Sequence, residues 1–182
     1  MVFAVIFFAA CNNATDADKT DDATALKTDS SAVTDDNVSY AYTADYSSKF
    51  EMGKPEYAAS ILKLWKSWDD GNLSAARDIF ADSVTMVFSS GDKVAGKRDS
   101  IIAMGQKERD MFASAKSQVH AWTSLRSTDK NENWVNIWGR EVDTDKKGKV
   151  DSSEIQETWR LNSDGKADLV YQYRAAIKPM KK

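Results

Sequence analysis

One cysteine, one histidine and two prolines occur in the 182 residues. A lone cysteine forbids a disulfide within the chain and any cysteine-built metal cluster. With a single histidine, only scattered carboxylates are left as metal ligands, so no metal site is expected. Clustered basic charge is missing too. The net charge is -3, and lysines and arginines alternate with acids, whereas nucleic-acid backbone binding needs grouped cations to displace counterions. Lys146, Lys147 and Lys149 lie among Asp143, Asp145 and Asp151 and read as a solvated hairpin tip. Gly91, Gly96 and Gly105 are isolated, so no phosphate-cradling loop is expected, and no cofactor or nucleic acid with it. What is abundant is aromatic surface: six Trp, six Tyr and seven Phe.

Residues 1–10 read MVFAVIFFAA and run directly into Cys11. Ten residues are too few to cross a bilayer, which takes about 20, but they suffice for the apolar core of a signal peptide. Ala9-Ala10 before the cysteine resembles the lipobox of bacterial lipoproteins. The resemblance implies cleavage, lipidation of Cys11, export and anchoring in the cell envelope, at the outer membrane, by acyl chains worth about 0.8 kcal/mol per buried methylene. Residues 11–44 are rich in Asp, Ala, Thr and Ser. They cannot bury enough apolar surface to offset their ordering entropy and read as a disordered acidic tether. Tyr46, Phe50 and Met52 mark 45–54 as a segment packed on a domain edge, residues 55–176 as the domain, and 177–182 as a basic tail.

Within the domain, Pro55 suits the first turn of a helix. Ala58, Ile61, Leu62, Trp65 and Trp68 repeat at helical spacing as far as Asp70-Gly71. A shorter helix covers about 73–80, then a strand 84–88, a turn at 89–92, and a brief pairing segment ending near Gly96. A third helix spans 99–114, with Ile101, Met104, Met111 and Phe112 on its apolar side. From Ser117 the period becomes two: strands at 117–127, 133–144, 153–162 and 167–176, with a tight connection at Asn162–Gly165 in which Gly165 takes positive φ. Helices, a short strand unit, a helix and four long strands predict an α+β domain with three helices on a curved, mostly antiparallel sheet.

The passage Asp70-Gly71-Asn72, Leu73 to Phe80, Ala81-Asp82-Ser83-Val84-Thr85, then Gly91, Gly96 and a new helix, and last Trp159-Arg160-Leu161 with Asp164-Gly165-Lys166, resembles the nuclear transport factor 2-like superfamily, including its SnoaL-like and ketosteroid-isomerase-like members. The resemblance covers Tyr57 to about Ala175. It implies a cone-shaped domain around a pocket and frequent homodimers. It also implies, for the isomerases, a carboxylate base near the end of the first strand and a tyrosine from the first helix. Those places fall on about Phe88 and Leu64, which cannot move a proton.

His120 could act as a general base, or it is a sheet residue that packs or meets solvent. Asp82 could join it, or it caps a helix–strand junction through an Asx turn. Trp134, Asn136, Trp138 and Arg140 share one strand face, Glu157 and Trp159 another, Tyr171 and Tyr173 a third. Together with Trp65, Trp68 and Trp122, they would line the cone with aromatic surface if these faces coincide. The expected function is binding of a small apolar ligand or a partner protein without catalysis. The alternatives are a proton-transfer enzyme, isomerase-like or dehydratase-like, using His120 with Asp82, Glu157 or Tyr171, and a structural or dimerising module with a filled core.

Overall fold

The computed structural model describes residues 38–177. The expectations for the signal peptide, for Cys11, for residues 11–37 of the tether and for residues 178–182 lie outside them. The domain is α+β: helices pack on one side of a curved, seven-stranded, mostly antiparallel sheet.

Strand β1, Phe50–Met52, pairs antiparallel with residues 125–127 and forms one sheet edge. Helix α1, Pro55–Asp69, begins with proline at its first position and Glu56 in its first turn, both favourable where N–H groups lack partners. Its buried residues Ala58, Ile61, Leu64 and Trp65 follow the helical repeat and form the face turned to the core. The helix stops at Asp70, and Gly71 turns the chain away at φ 72°, a left-handed conformation that glycine adopts without strain.

The next element, Leu73–Ile79, is a 3-10 helix. Only Leu73 and Ala76 are buried in it, and this three-residue spacing fits three residues per turn. Phe80 was expected to end that helix but already has extended backbone and opens β2, Phe80–Phe88. A hairpin leads to β3, Lys93–Lys97, and then to α2, Arg98–Arg109. The expected third helix over 99–114 is therefore cut short. Phe112 and Ser114 instead pair with Asp145 and Thr144, so the sheet takes over the backbone bonds of what looked like a last helical turn. Buried Arg109 fixes this junction. It donates to the carbonyls of Trp68 at 2.6 Å, Asp69 at 3.1 Å and Phe112 at 3.2 Å, satisfying carbonyls that a helix end leaves open.

Four long strands follow: β4, Phe112–Ser127; β5, Glu132–Asp145; β6, Val150–Leu161; and β7, Ala167–Ala176. The sheet order is β1-β4-β5-β6-β7-β2-β3, with the β2–β7 pair parallel. Gly165 has φ 72° in the β6–β7 connection, as its place in a tight hairpin predicts.

Register assigns the two faces. Val135 pairs with Trp159, Ile137 with Glu157 and Gly139 with Ile155. Trp159 pairs with Val170, Glu157 with Gln172 and Ile155 with Arg174. These residues form the inner face, under the helices. Ile61, Val135, Ile137 and Val170 are fully buried there. The outer face carries Trp134 opposite Arg160, and Trp138 opposite Gln156 and then Tyr173. A bulge between Val119 and Ala121 shifts β4 by one residue. Val119 therefore points inward opposite Gly139, while Leu125 lies outward opposite Trp134. An uninterrupted period of two had put them on one face.

Candidate functional site

The inner face and the helices enclose a cavity of about 130 Å³. Leu64, Trp65 and Trp68 of α1, Phe80, Met86 and Phe88 of β2, and Trp159 of β6 form its apolar walls. Met104 and Glu108 of α2 lie on its exposed side, and Glu141, Glu157, Gln172 and Arg174 supply polarity from the sheet. Leu64 and Phe88, the two places where the resemblance put isomerase residues, do line the cavity, as apolar wall. Gly139 matters to its shape. A Cβ there would come within 2.8 Å of the Trp65 ring, so the glycine lets α1 lay that indole against β5.

Glu157 is buried and fully engaged. Its Oε2 accepts from Trp65 Nε1 at 2.6 Å and Trp159 Nε1 at 2.8 Å, and its Oε1 accepts from Gln172 Nε2 at 2.8 Å. One carboxyl thus fixes the edges of two indole walls, one on the helix and one on the sheet. Such an arrangement answers the requirement that buried polar groups find partners.

Glu141 is only 4% exposed, two residues from Asp143 at 5%. Both stand on the inward register of β5. They share one nitrogen of Arg174: Nη2 donates to Glu141 Oε2 at 2.6 Å and to Asp143 Oδ2 at 3.2 Å. Burial pushes the Glu141 carboxyl up to about 7, against the pull of Arg174. Asp143 and Glu157 raise it further, and the Trp68 indole lowers it. Asp143 is also raised, first by burial, with Arg174 opposing. Two carboxyls served by one guanidinium nitrogen cannot both ionise cheaply in a dry site. Asp143 Oδ1 and Trp68 Nε1 are buried and make no hydrogen bond among the described residues. The indole N–H of Trp68 is directed at Glu141, whose ionised form it favours.

The other sequence candidates are divided by the register. Trp65, Trp68, Glu157 and Trp159 line the cavity. Trp134, Trp138, Tyr171 and Tyr173 do not, because they occupy the opposite parity of their strands. The faces proposed to coincide are back to back. Trp122 is 56% exposed and outside the cavity lining. His120 sits in the β4 bulge on the outer face, its Nδ1 3.8 Å from Glu154, which also pairs with Arg140. Asp82 lies near the start of β2, largely exposed, 3.3 Å from Arg98. His120 and Asp82 therefore do not converge on the cone. The residues that sequence reasoning missed are Glu141, Asp143 and Arg174. Their signal was parity: Glu141 and Asp143 continue the same alternating register as Val135 and Ile137 in a strand otherwise apolar on that side.

No protein-family model and no curated protein matches the chain. Solved structures do match. AusH from Aspergillus nidulans is similar at TM-score 0.55 and 13% identity, over 70% of this chain and 88% of that one. AclR from Streptomyces galilaeus, named as a candidate hydroxylase, is similar at 0.53 and 15%, over 67% and 80%. A protein of ketosteroid isomerase-like fold from Catenulispora acidiphila, in complex with trimethylamine, is similar at 0.52 and 16%, over 66% and 86%. What these structures share with the chain is the fold, described for the Catenulispora protein as ketosteroid isomerase-like.

Two expectations are corrected by these findings. The expectation of a membrane-anchored, non-catalytic binding domain is not the one that the similar structures favour. Proteins sharing the fold include a candidate hydroxylase and an isomerase-like fold holding a small amine, and this cone encloses ionisable carboxyls beside an open cavity. A filled core is excluded by that cavity. The lipoprotein, signal-peptide and membrane-anchor reading finds no support in the similar structures, and the residues that carried it lie outside those the structure describes.

Proposed function

We propose that the cone is an active site for proton transfer on a small molecule, isomerase-like or dehydratase-like, and that Glu141 carries the proton. The observation behind this is Glu141 itself: a carboxyl 4% exposed, lining a cavity, with its ionisation moved to about 7. A general acid–base works best with a pKa near the operating pH. Ionised Glu141 takes a proton from a substrate C–H. Protonated, it returns that proton to another carbon in an isomerisation, or to a departing hydroxyl in a dehydration. Burial raises its proton affinity, Arg174 opposes that rise and Asp143 adds to it. The N–H of Trp68 favours the ionised form of Glu141, an effect that grows in a water-poor site. Trp65 and Trp159, held by Glu157, clamp the substrate between them.

The test incubates the protein in D₂O with a panel of small enolisable carbonyl and β-hydroxycarbonyl compounds, followed by NMR. Deuterium wash-in or loss of water should appear for at least one member and fall by about 10²- to 10⁴-fold in Glu141→Gln. Turnover that survives Glu141→Gln contradicts the proposal.

A homodimer through the outer sheet face is a second proposal. It is favoured by Trp134, Trp138 and Tyr171, all partly exposed, and by Tyr173, 51% exposed, an aromatic patch of the kind that pairs subunits. Sedimentation should give a dimer that Tyr173→Asp dissociates; a wild-type monomer at high concentration counts against it.

A further inference from the structure

We propose that the cone selects a small organic cation, a molecule whose head is an ammonium or quaternary ammonium group. This rests on the reading of the cone as an active site and names its substrate class.

The charges of the cavity carry the argument. Glu108, Glu141 and Glu157 line it against a single cation, Arg174. That arginine is shared, since the same Nη2 serves Glu141 and Asp143. Arg109, behind the site, is engaged by three backbone carbonyls. Among the described residues, no lysine lines the cavity. An anionic guest would therefore meet repulsion from these carboxyls, against one guanidinium already drawn to two buried acids. A neutral apolar guest would leave Glu141 desolvated beside a guanidinium nitrogen it shares with Asp143, which is costly.

The walls point the same way. Trp65, Trp68, Trp159, Phe80 and Phe88 surround the space, and aromatic faces attract ammonium groups, tryptophan most strongly. Trp65 and Trp159 both donate their N–H to Glu157. A hydrogen bond to a carboxylate polarises the indole and makes its face a better partner for a cation. The cavity of about 130 Å³ suits a compact head group rather than a drug-sized ligand, whose pockets start at about 300 Å³.

A bound cation also stabilises the ionised form of Glu141. The groups that act on Glu141 are Arg174 from β7, Asp143 from its own strand, Glu157 from β6 and Trp68 from α1. Only Arg174 among them is positive, so a guest cation supplies the missing charge. Affinity then rises with pH through about 7, and binding releases protons.

The experiment titrates the full chain by calorimetry with three guests of similar shape: tetramethylammonium, tert-butanol and pivalate. Tetramethylammonium should bind at least about tenfold tighter than tert-butanol, and pivalate most weakly. Between pH 6 and pH 8 the cation's affinity should rise by up to about tenfold as the competent ionised fraction grows, with proton release seen by comparing two buffers. Trp68→Leu should weaken tetramethylammonium by about two- to thirtyfold and leave tert-butanol little changed. Equal binding of tert-butanol, tighter binding of pivalate, or no binding of any guest overturns the proposal. The three-guest comparison on the wild type needs no variant, so a misfolded Trp68→Leu does not shield it. The proton-transfer reading fails by a different result, turnover that persists in Glu141→Gln.

Discussion

The two faces of one sheet carry similar side chains and do different things with them. On the inner face, Trp159 is 3% exposed and Glu157 and Glu141 are buried with it. On the outer face, Trp134 and Trp138 are only partly covered, and Arg140 and Glu154 form a solvent-exposed ion pair with His120 beside it. Desolvation is the difference. Inside, it moves the ionisation of Glu141 and ties carboxyls to indoles. Outside, water screens the same kinds of charge, and such pairs contribute about 0–1 kcal/mol. The position of a residue within a two-residue repeat decides whether its carboxyl is chemistry or surface.

The largest expected effect breaks this comparison at its two acid–base candidates. Glu141→Gln should lower turnover by about 10²- to 10⁴-fold, whereas His120→Ala in the outer bulge should change it by less than about twofold. A large loss from His120→Ala in steady-state kinetics would move the site to the other face.

Packing should differ almost as much. Trp159→Ala removes a side chain 3% exposed and should cost about 3–5 kcal/mol in denaturant unfolding. Tyr173→Ala, at a residue 51% exposed, should cost within about 0.5 kcal/mol in the monomer. Similar losses for both would mean that the outer face is as closely covered as the inner.

Stability should depend on pH through Glu141. Folding raises its carboxyl from the ordinary 4.5 to about 7. Between these values the folded protein binds more protons than the unfolded chain. Stability should therefore fall as pH rises from about 4.5 to about 7 and level off above, by roughly 3 kcal/mol from this group. Glu141→Gln should flatten that slope; an unchanged slope would assign it elsewhere. The smallest effect is outside: Glu154→Gln should alter stability by no more than about 1 kcal/mol, less still at high salt.

Much of the architecture was legible because its signals are local. Pro55, the spacing of Ala58, Ile61 and Trp65, and the glycines at 71 and 165 each act within a turn or two. The site was less legible because it depends on register between strands. Trp134 and Trp159 look equivalent in sequence, yet the pairing of Trp134 with Arg160 and Val135 with Trp159 sends them to opposite faces. The bulge at Val119–Ala121 reversed the parity of half of β4, and nothing in the alternation of that strand announces it. His120 drew attention as the only histidine, while Glu141, one of many acids, was distinguished only by sharing a register with Val135 and Ile137.

The central claim is that the inner face holds a carboxyl whose proton is poised near neutrality. Carbon-13 NMR of the side-chain carboxyls, with Glu141 assigned by comparison with Glu141→Gln, measures this directly. A midpoint near 7 for Glu141, moving lower when tetramethylammonium is added, is the predicted result. A midpoint at about 4–5, as for a solvated glutamate, would contradict the account.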